Sequence, residues 1–182
     1  MNHSRLLIYI NSKTTFLLVL TMLISGCATH GKLPTVTQVD LNAFMGKWYV
    51  IANIPTFIET DAHNATETYS LNQDGSINTR FEFLAGSFDG KRKEYNPVGF
   101  VKNTTTNAEW SMRFIWPFKA DYRVVYLNNN YTTTIIGRNK RDYVWLMART
   151  PEISNDLYEQ MKDLIGKMGY ETALLQKVPQ QW

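Results

Sequence analysis

Between residues 48 and 149 the chain alternates apolar and polar positions in short runs, a period of two that is typical of half-buried β-strands. Turn-forming residues separate the runs, and Asp74-Gly75 is a strong hairpin signal between two of them. The pattern predicts eight strands, at Gly46–Ile54 and at residues 64–71, 76–84, 94–102, 108–115, 121–127, 131–137 and 143–149. Short strands in close succession favour a meandering, all-β fold.

The periodicity changes after the eighth strand. Ser154 can act as the N-cap of a helix and Gly169 as its C-terminal stop. The apolar residues between them fall on one helical face, namely Leu157, Met161, Leu164, Ile165 and Met168. We therefore predict an eight-stranded antiparallel up-and-down β-barrel with one C-terminal α-helix packed on the outside. Closure of the barrel removes exposed strand edges and leaves room for side chains or one small ligand.

The N-terminal stretch has a different character from the predicted barrel. Residues 1–26 carry Arg5 and Lys13 and no acidic residue. Their apolar run from residue 16 to residue 20 is too short to span a bilayer. Positive charge followed by a short apolar core is typical of a signal peptide that is removed from the mature protein.

Cys27 follows Ile24-Ser25-Gly26, and small residues before a cysteine resemble the bacterial lipoprotein box, in which the cysteine is lipidated. It is the only cysteine in the sequence, so no disulfide can form within the chain. Ala28 follows it, and a residue other than aspartate there implies sorting to the outer membrane. We expect a lipid-anchored outer-membrane protein that faces the periplasm. The predicted division is a signal peptide over 1–26, a lipidated N-terminus and tether over 27–37, and the barrel domain over 38–182.

Charge and titratable residues narrow the classes of function. Without the predicted signal peptide, 17 basic residues face 16 acidic ones and are scattered, which gives no sign of a nucleic-acid partner. His3 and His30 precede the barrel, which leaves His63 alone in it, and no spacing indicates a metal site. We expect no cofactor, no metal and no catalytic residue. Glu67 and Glu82 leave carboxylate chemistry open, although solvated outer-face positions are the favoured interpretation for both.

Three ordered motifs resemble those of the lipocalin family, in its bacterial and apolipoprotein-D-like branch. Gly46-Lys47-Trp48-Tyr49 resembles the G-x-W-Y signature of the first strand. Pro117-Phe118 leading into Asp121-Tyr122 resembles the second motif, with Ala120 where threonine is usual. Residues 141–151 closely resemble the third motif. The resemblance covers residues 41–170 and implies the lipocalin calyx, a barrel closed at one end.

The resemblance also implies which residues are structural. In lipocalins the tryptophan of the first motif plugs the closed end of the barrel, and the arginine of the third motif lies across it. The structural residues implied in this way are Gly46, Trp48, Asp121 and Arg149, with Asp121 placed at the same closed end. The chain departs from the branch at Val50 and Asn53, where glutamate and arginine are common. These departures leave the preferred ligand headgroup open.

Taking the more apolar alternation of each strand as inward gives the predicted ligand-binding residues: Tyr69, Ile77, Phe81, Phe83, Trp110, Met112, Phe114, Tyr122, Val124 and Trp145. Patterning alone leaves open whether these residues fill a solid core or line an apolar pocket, because both use large side chains. The resemblance favours a cavity. It implies binding, storage or transport of a fatty acid, a lysophospholipid or a similar lipophilic ligand, without enzymatic activity.

Two alternatives stay open at this point. One is a solid-cored lipoprotein that acts through protein or membrane contacts, for which Phe57, Trp116 and Phe118 are candidate surface residues. The other, less favoured, is a lipid-modifying enzyme. The sequence also leaves a homodimer open.

Overall fold

The computed structural model describes residues 31–182, so the predicted signal peptide, His30 and Cys27 lie outside the described residues. The elements, numbered in chain order, are α1 (Leu41–Phe44), β1 (Gly46–Ile54), β2 (Ala62–Leu71), β3 (Ile77–Ala85), β4 (Lys91–Tyr95), β5 (Val98–Val101), β6 (Glu109–Ile115), β7 (Phe118–Leu127), β8 (Thr133–Gly137), β9 (Val144–Ala148), α2 (Asn155–Lys167) and β10 (Gln176–Lys177). A short 3-10 helix at Thr172–Leu174 precedes β10.

The strands form one antiparallel sheet that closes on itself. The paired strands follow the order β1-β2-β3-β5-β6-β7-β8-β9, and β1 also pairs with β9, with Tyr49 opposite Ala148. The short β10 pairs with the end of β1. Strands β4 and β5 both pair with β3 and share the fourth position of the barrel. The predicted eight-stranded barrel with one outer C-terminal helix is therefore confirmed.

Several predicted boundaries differ from the structure. The predicted fourth strand, 94–102, begins earlier and is divided at Asn96-Pro97, because proline has no N–H to donate to the sheet. The predicted sixth strand begins at Phe118 rather than at residue 121, since Ile115 pairs with Phe118 across a two-residue connection. Helix α1 and strand β10 were not predicted.

Alternation along the strands separates two apolar clusters. The inner cluster fills the barrel and contains Trp48, Tyr69 and Trp110. The outer cluster lies between the barrel and α2, where Ile165 of the helix packs with Leu146 of β9. Both clusters lie within residues 33–178, so the described segment carries a complete core of its own. No helix within residues 31–182 is long and apolar enough to cross a membrane.

One end of the barrel, which we call the closed end, is sealed by α1, Trp48 and Arg149. The Arg149 guanidinium lies 3.8 Å from the centroid of the Trp48 ring. It donates hydrogen bonds to main-chain oxygens of α1, β1 and the turn before β8, among them those of Met45 at 2.8 Å and Lys47 at 2.7 Å. Gly46 has a φ of 94°, and a Cβ there would lie 3.3 Å from Nη1 of Arg149. The positive φ favours glycine at this position, and any larger residue would also crowd the Arg149 guanidinium.

Asp121 does not lie at the closed end, so its predicted position was wrong. Its carboxylate accepts a hydrogen bond of 2.8 Å from the main-chain N–H of Asn139, in the loop that joins β8 to β9 at the opposite end of the barrel. It also lies 3.8 Å from the Arg123 guanidinium on the outer face. Because β7 begins at that end, a residue near its start cannot reach Arg149.

Candidate functional site

The end of the barrel opposite Arg149, which we call the open end, contains a cavity of about 60 Å³. Its apolar wall comes from four strands and includes Phe81, Met112, Phe114, Ala120 and Trp145. The loop of residues 55–61, which we call the mouth loop, and the loop between β8 and β9 border its entrance. The cavity is therefore an apolar recess in the barrel axis, reached from one end only.

The bottom of the cavity is closed by packed aromatic side chains. Tyr122 stacks on Trp110, with ring centroids 5.1 Å apart. The hydroxyl groups of Tyr69 and Tyr122 form a hydrogen bond of 2.6 Å. Phe44 packs on Tyr69 and Trp110 from the side of the closed end, and it also contacts the Trp48 ring. The lower half of the barrel is thus a solid core, and only the upper half has space.

Glu67 of β2 points into this cavity, and its side chain is almost completely buried. Within the described residues, its Oε2 atom has no hydrogen-bond partner. Burial, with the nearby Glu59 carboxylate as a second cause, raises the pKa of Glu67 to about 8. Glu67 is therefore mostly uncharged at neutral pH, and it is a polar group in an apolar recess.

Glu59 joins the mouth loop to the barrel. Its carboxylate accepts hydrogen bonds from the Thr56 N–H at 3.1 Å and the Thr56 hydroxyl at 2.9 Å. The indole N–H of Trp145 reaches the same carboxylate at 3.2 Å. Burial raises the pKa of Glu59, and these hydrogen bonds act in the opposite direction. Glu59 and Trp145 together hold the loop across the entrance.

Two further polar groups line the cavity without a partner among the described residues, the hydroxyl of Thr79 and the Nε of Arg138. Thr79 lies on β3, deep in the barrel. Arg138 directly follows β8 at the open end, where its guanidinium lies over the Tyr143 ring and 3.3 Å from Asp142. The cavity therefore has polar groups at its bottom and at its entrance, with an apolar wall between them.

Comparison with known proteins identifies this architecture. Residues 39–180 match the lipocalin-like domain. The chain belongs to this family. It is 26% identical to the outer membrane lipoprotein Blc of Vibrio cholerae over 93% of this chain and 99% of that protein. It is 28% identical to temperature-induced lipocalin-1 of Arabidopsis thaliana, over 82% of this chain and 83% of that protein. Bovine apolipoprotein D is 28% identical, over 76% and 75%. The predicted branch, bacterial and apolipoprotein-D-like, is confirmed.

Solved structures agree on the lipocalin fold. Insecticyanin from the tobacco hornworm aligns with a TM-score of 0.64 at 13% identity, over 81% of this chain and 84% of its own. Lobster apocrustacyanin A1 aligns with a TM-score of 0.62 at 12% identity, over 83% and 92%. At these identities the likeness concerns the fold alone.

The lipocalin barrel brings the predicted ligand-binding residues inside, at different depths. Those that line the cavity are Phe81, Met112, Phe114, Tyr122 and Trp145. Those buried in the solid lower half or elsewhere in the inner cluster are Tyr69, Ile77, Phe83, Trp110 and Val124. Phe114 is half exposed at the entrance. Contact of these residues with a ligand stays a prediction.

The sequence prediction missed the polar groups of this lipocalin cavity. Glu67 was expected on the outer face, which was wrong, because it lies two residues before the inward Tyr69 and shares its face. By the same rule Thr79, which lies two residues from both Ile77 and Phe81, shares their inward face. Glu59 and Arg138 lie in loops, where no periodicity indicates the direction of a side chain. Glu82 does lie on the outer face, where it forms ion pairs with Arg80 and Arg92.

Groups suited to other chemistry are not gathered in the described barrel. The His63 ring lies 3.2 Å from the Asp61 carbonyl oxygen and packs edge-on against Phe88. Within residues 31–182, no cluster of three or more His, Cys, Asp or Glu side chains could hold a metal ion. Lipocalins are generally binding or transport proteins, and this cavity resembles a binding site more than a reaction centre.

Proposed function

We propose that this lipocalin reversibly binds one single-chain amphiphile, such as a fatty acid or lysophospholipid, in the barrel cavity. The observation that carries the proposal is the apolar recess open at one end only, with Phe81, Met112 and Trp145 in its wall and Arg138 at its entrance. Burial of an alkyl tail in the recess supplies about 0.8 kcal/mol per CH₂ group. An anionic or zwitterionic headgroup stays at the entrance beside Arg138.

Binding of a long tail requires the cavity to enlarge. Pockets that bury most of a drug-sized ligand measure roughly 300–1,000 Å³, whereas this cavity measures about 60 Å³. The mouth loop, held by Glu59 and Trp145, and the half-exposed Phe114 are the parts whose displacement lengthens the recess. The proposal therefore includes movement of the mouth loop on binding.

We further propose that lipidation of Cys27 anchors the protein at the outer membrane, facing the periplasm. The relatives named outer membrane lipoproteins support this location, and so does the sequence before Cys27. In this arrangement residues 1–26 are removed and Cys27 carries the lipid. The predicted tether, residues 27–37, is not free over its whole length, because Leu33 is buried in the outer cluster and the Val36 N–H donates to the Val124 carbonyl oxygen. The barrel then stores, scavenges or delivers lipids released at that membrane.

The test is native mass spectrometry of residues 28–182, titrated with oleate and with lysophosphatidylcholine, together with tryptophan fluorescence. We expect saturable one-to-one binding that Phe114→Arg or Trp145→Arg weakens at least ten-fold, since either change places a charge in the apolar wall. Leu174→Arg is the matched control, because Leu174 is exposed and lies outside both the cavity lining and the mouth loop.

One alternative is favoured by the small cavity, namely a solid-cored lipoprotein that acts through its surface. Absence of binding to every long-chain amphiphile would support it. A second outcome, turnover of a lipid ester by the protein, would revive an enzymatic role.

A further inference from the structure

Unpartnered polar groups concentrate in the barrel cavity. Six buried side-chain polar atoms of the described residues have no hydrogen-bond partner, and three of them, on Glu67, Thr79 and Arg138, belong to residues that line this one recess. A buried polar group without a partner is destabilising, because it has lost its hydrogen bonds to water and gained none in return. Three such groups around one cavity therefore indicate a place where a bound molecule can supply hydrogen-bond partners.

Glu67 and Thr79 lie next to each other at the bottom of the cavity. Tyr69 of β2 is directly opposite Thr79 of β3, and Glu67 is directly opposite Phe81. Glu67 and Thr79 are therefore diagonal neighbours on the inner face of two paired strands, a position from which side chains interact. One small polar group placed between them can contact both.

Other titratable groups around this position are already engaged or lie farther up. The Tyr122 hydroxyl is bonded to that of Tyr69. The Glu59 carboxylate is bonded to Thr56 and Trp145 in the mouth loop region. Asp121, Arg138 and Tyr143 border the cavity from β7 and from the loop between β8 and β9, toward the open end. No group among the described residues neutralises a negative ligand at the bottom.

The hydrogen-bonding chemistry of Glu67 and Thr79 indicates which ligand group they can bind. An uncharged carboxyl group and a threonine hydroxyl each donate one hydrogen bond and accept others. A hydroxyl group on the ligand matches both, because it donates and accepts at once. A ligand carboxylate at the same place would lie beside Glu67 and near Glu59, which disfavours it.

We propose that Glu67 and Thr79 form a polar subsite for a hydroxyl group on the buried end of the ligand. The barrel then prefers amphiphiles whose chain carries a hydroxyl far from the headgroup over the same chain without it. This inference rests on the proposed function, since it concerns the inner end of the same cavity. It names a substrate class, hydroxylated lipids, that an apolar wall alone does not select.

The test compares ω-hydroxy fatty acids with unsubstituted fatty acids of eight, ten and twelve carbons, because the depth that a chain reaches depends on its length. Binding to residues 28–182 is measured by calorimetry and native mass spectrometry. We expect the hydroxylated member of at least one pair to bind about five-fold more tightly, the ratio that one net hydrogen bond of about 1 kcal/mol gives.

Two variants assign the preference to the subsite. Thr79→Val and Glu67→Met each remove polar atoms with little change of volume. Each is expected to abolish the five-fold preference, because the subsite then loses a partner for the ligand hydroxyl group. Thr68→Val is the matched control, because the Thr68 hydroxyl is also buried and unpartnered among the described residues but is not part of the cavity lining.

The outcomes separate the inference from the proposed function. Equal binding of both members of every pair, or a preference that survives both Thr79→Val and Glu67→Met, would overturn the subsite and leave lipid binding intact. If no fatty acid of either kind binds, the proposed function fails and the inference fails with it.

Discussion

Glu67 places a carboxyl group among aromatic side chains, and this sets how the stability of the barrel depends on pH. Burial and Glu59 raise its pKa from the ordinary 4.5 to about 8. Between these two values the folded protein holds a proton that the unfolded chain has released. The free energy of unfolding therefore falls as pH rises through this window, by up to about 1.4 kcal/mol per pH unit.

The first prediction concerns Glu67→Gln, which keeps the shape of the side chain and removes its titration. Wild-type protein is expected to lose stability from about pH 5 to about pH 8, and the variant to lose much less, since only the raised pKa of Glu59 then contributes. Urea unfolding at a series of pH values measures the slope. Glu94→Gln, at an exposed carboxylate on β4, is expected to keep the wild-type slope. Equal slopes for wild type and Glu67→Gln would show that Glu67 is not buried as a neutral group.

Individual residues also show which side-chain positions could be predicted from the sequence and which could not. The inward positions of Tyr69, Trp110 and Tyr122 follow from alternation, because a half-buried strand repeats every two residues. Glu67 is a charged residue type, and carboxylates rarely lie inside a barrel, so its composition favours an outward position. Its spacing of two residues from the inward Tyr69 favours an inward position, and the structure shows that the spacing was the more reliable indicator. A buried carboxylate of this kind can be predicted only when the period of two is applied to every residue of the strand.

Among the elements, the seal of the closed end depends on one side chain. Arg149 follows β9 and donates to five main-chain oxygens, among them those of Ala43 and Phe44 in α1 and of Tyr131. The planar guanidinium reaches several acceptors at once and stacks on Trp48, which an ammonium group cannot do. A four-residue helix such as α1 has little stability of its own and relies on these contacts.

The second prediction is therefore that Arg149→Lys lowers the free energy of unfolding by roughly 2–3 kcal/mol, the order of one or two hydrogen bonds from a charged donor. Denaturant unfolding measures the loss. Arg80→Lys, which alters a partly exposed ion pair, is expected to cost much less. Affinity for lipid should stay unchanged in both variants, because neither residue borders the cavity. A strong loss of lipid binding in folded Arg149→Lys would contradict a purely structural role.

The mouth loop, residues 55–61, is the element that covers the cavity. It has no regular secondary structure. The bonds that Glu59 accepts from Thr56 and Trp145 help to hold it, together with the packing of Ile58 against the inner cluster. The third prediction is that Trp145→Phe, which removes the indole N–H, raises hydrogen exchange of the Thr56 amide about five-fold, the effect of one net hydrogen bond. Trp116→Phe is the control. Unchanged exchange would mean that the loop is held by other contacts.

The elements themselves were largely predictable, for physical reasons. The number, order and antiparallel pairing of the barrel strands follow from runs of alternating residues joined by short turns. The division of the predicted fourth strand into β4 and β5 follows from the missing N–H of Pro97. The sequence contains this proline, so the division could have been predicted. Helix α1 was not predictable from periodicity, because its four residues make barely one turn and their helical form depends on Asp40 as a cap and on Arg149.

At the scale of the whole molecule, the two ends of the barrel differ in character. The closed end is sealed by α1 and Arg149, whereas the open end exposes aromatic side chains around the cavity. Phe57, Trp116 and Phe118 are each more than three-quarters exposed, and all three lie at the open end. We expect these exposed aromatic groups to form an interaction surface at this end, because aromatic rings suit the boundary between water and lipid.

The path of the N-terminal segment places the proposed anchor at this same end. Val39 bonds to Thr106 near the closed end, and the chain then runs back along β7 until the Gly31 carbonyl accepts a hydrogen bond of 2.7 Å from Arg141 in the loop between β8 and β9. Cys27 is four residues from Gly31, a distance that extended chain covers in at most about 14 Å. We therefore expect the proposed lipid anchor at Cys27 to hold the open end against the bilayer.

The fourth prediction follows from this orientation. In protein lipidated at Cys27 and reconstituted in phosphatidylcholine vesicles, lipids brominated near the headgroup should quench Trp116, and Trp116→Phe should remove most of the accessible quenching. Trp182→Phe is the matched control, because Trp182 is also exposed but packs beside Lys47 near the start of β1, away from the open end. A flexible insertion of about twelve residues between Cys27 and Gly31 is expected to weaken the quenching, since it releases the open end from the surface. If Trp182 is quenched and Trp116 is not, the barrel faces the other way, and lipid cannot enter the cavity directly from the membrane.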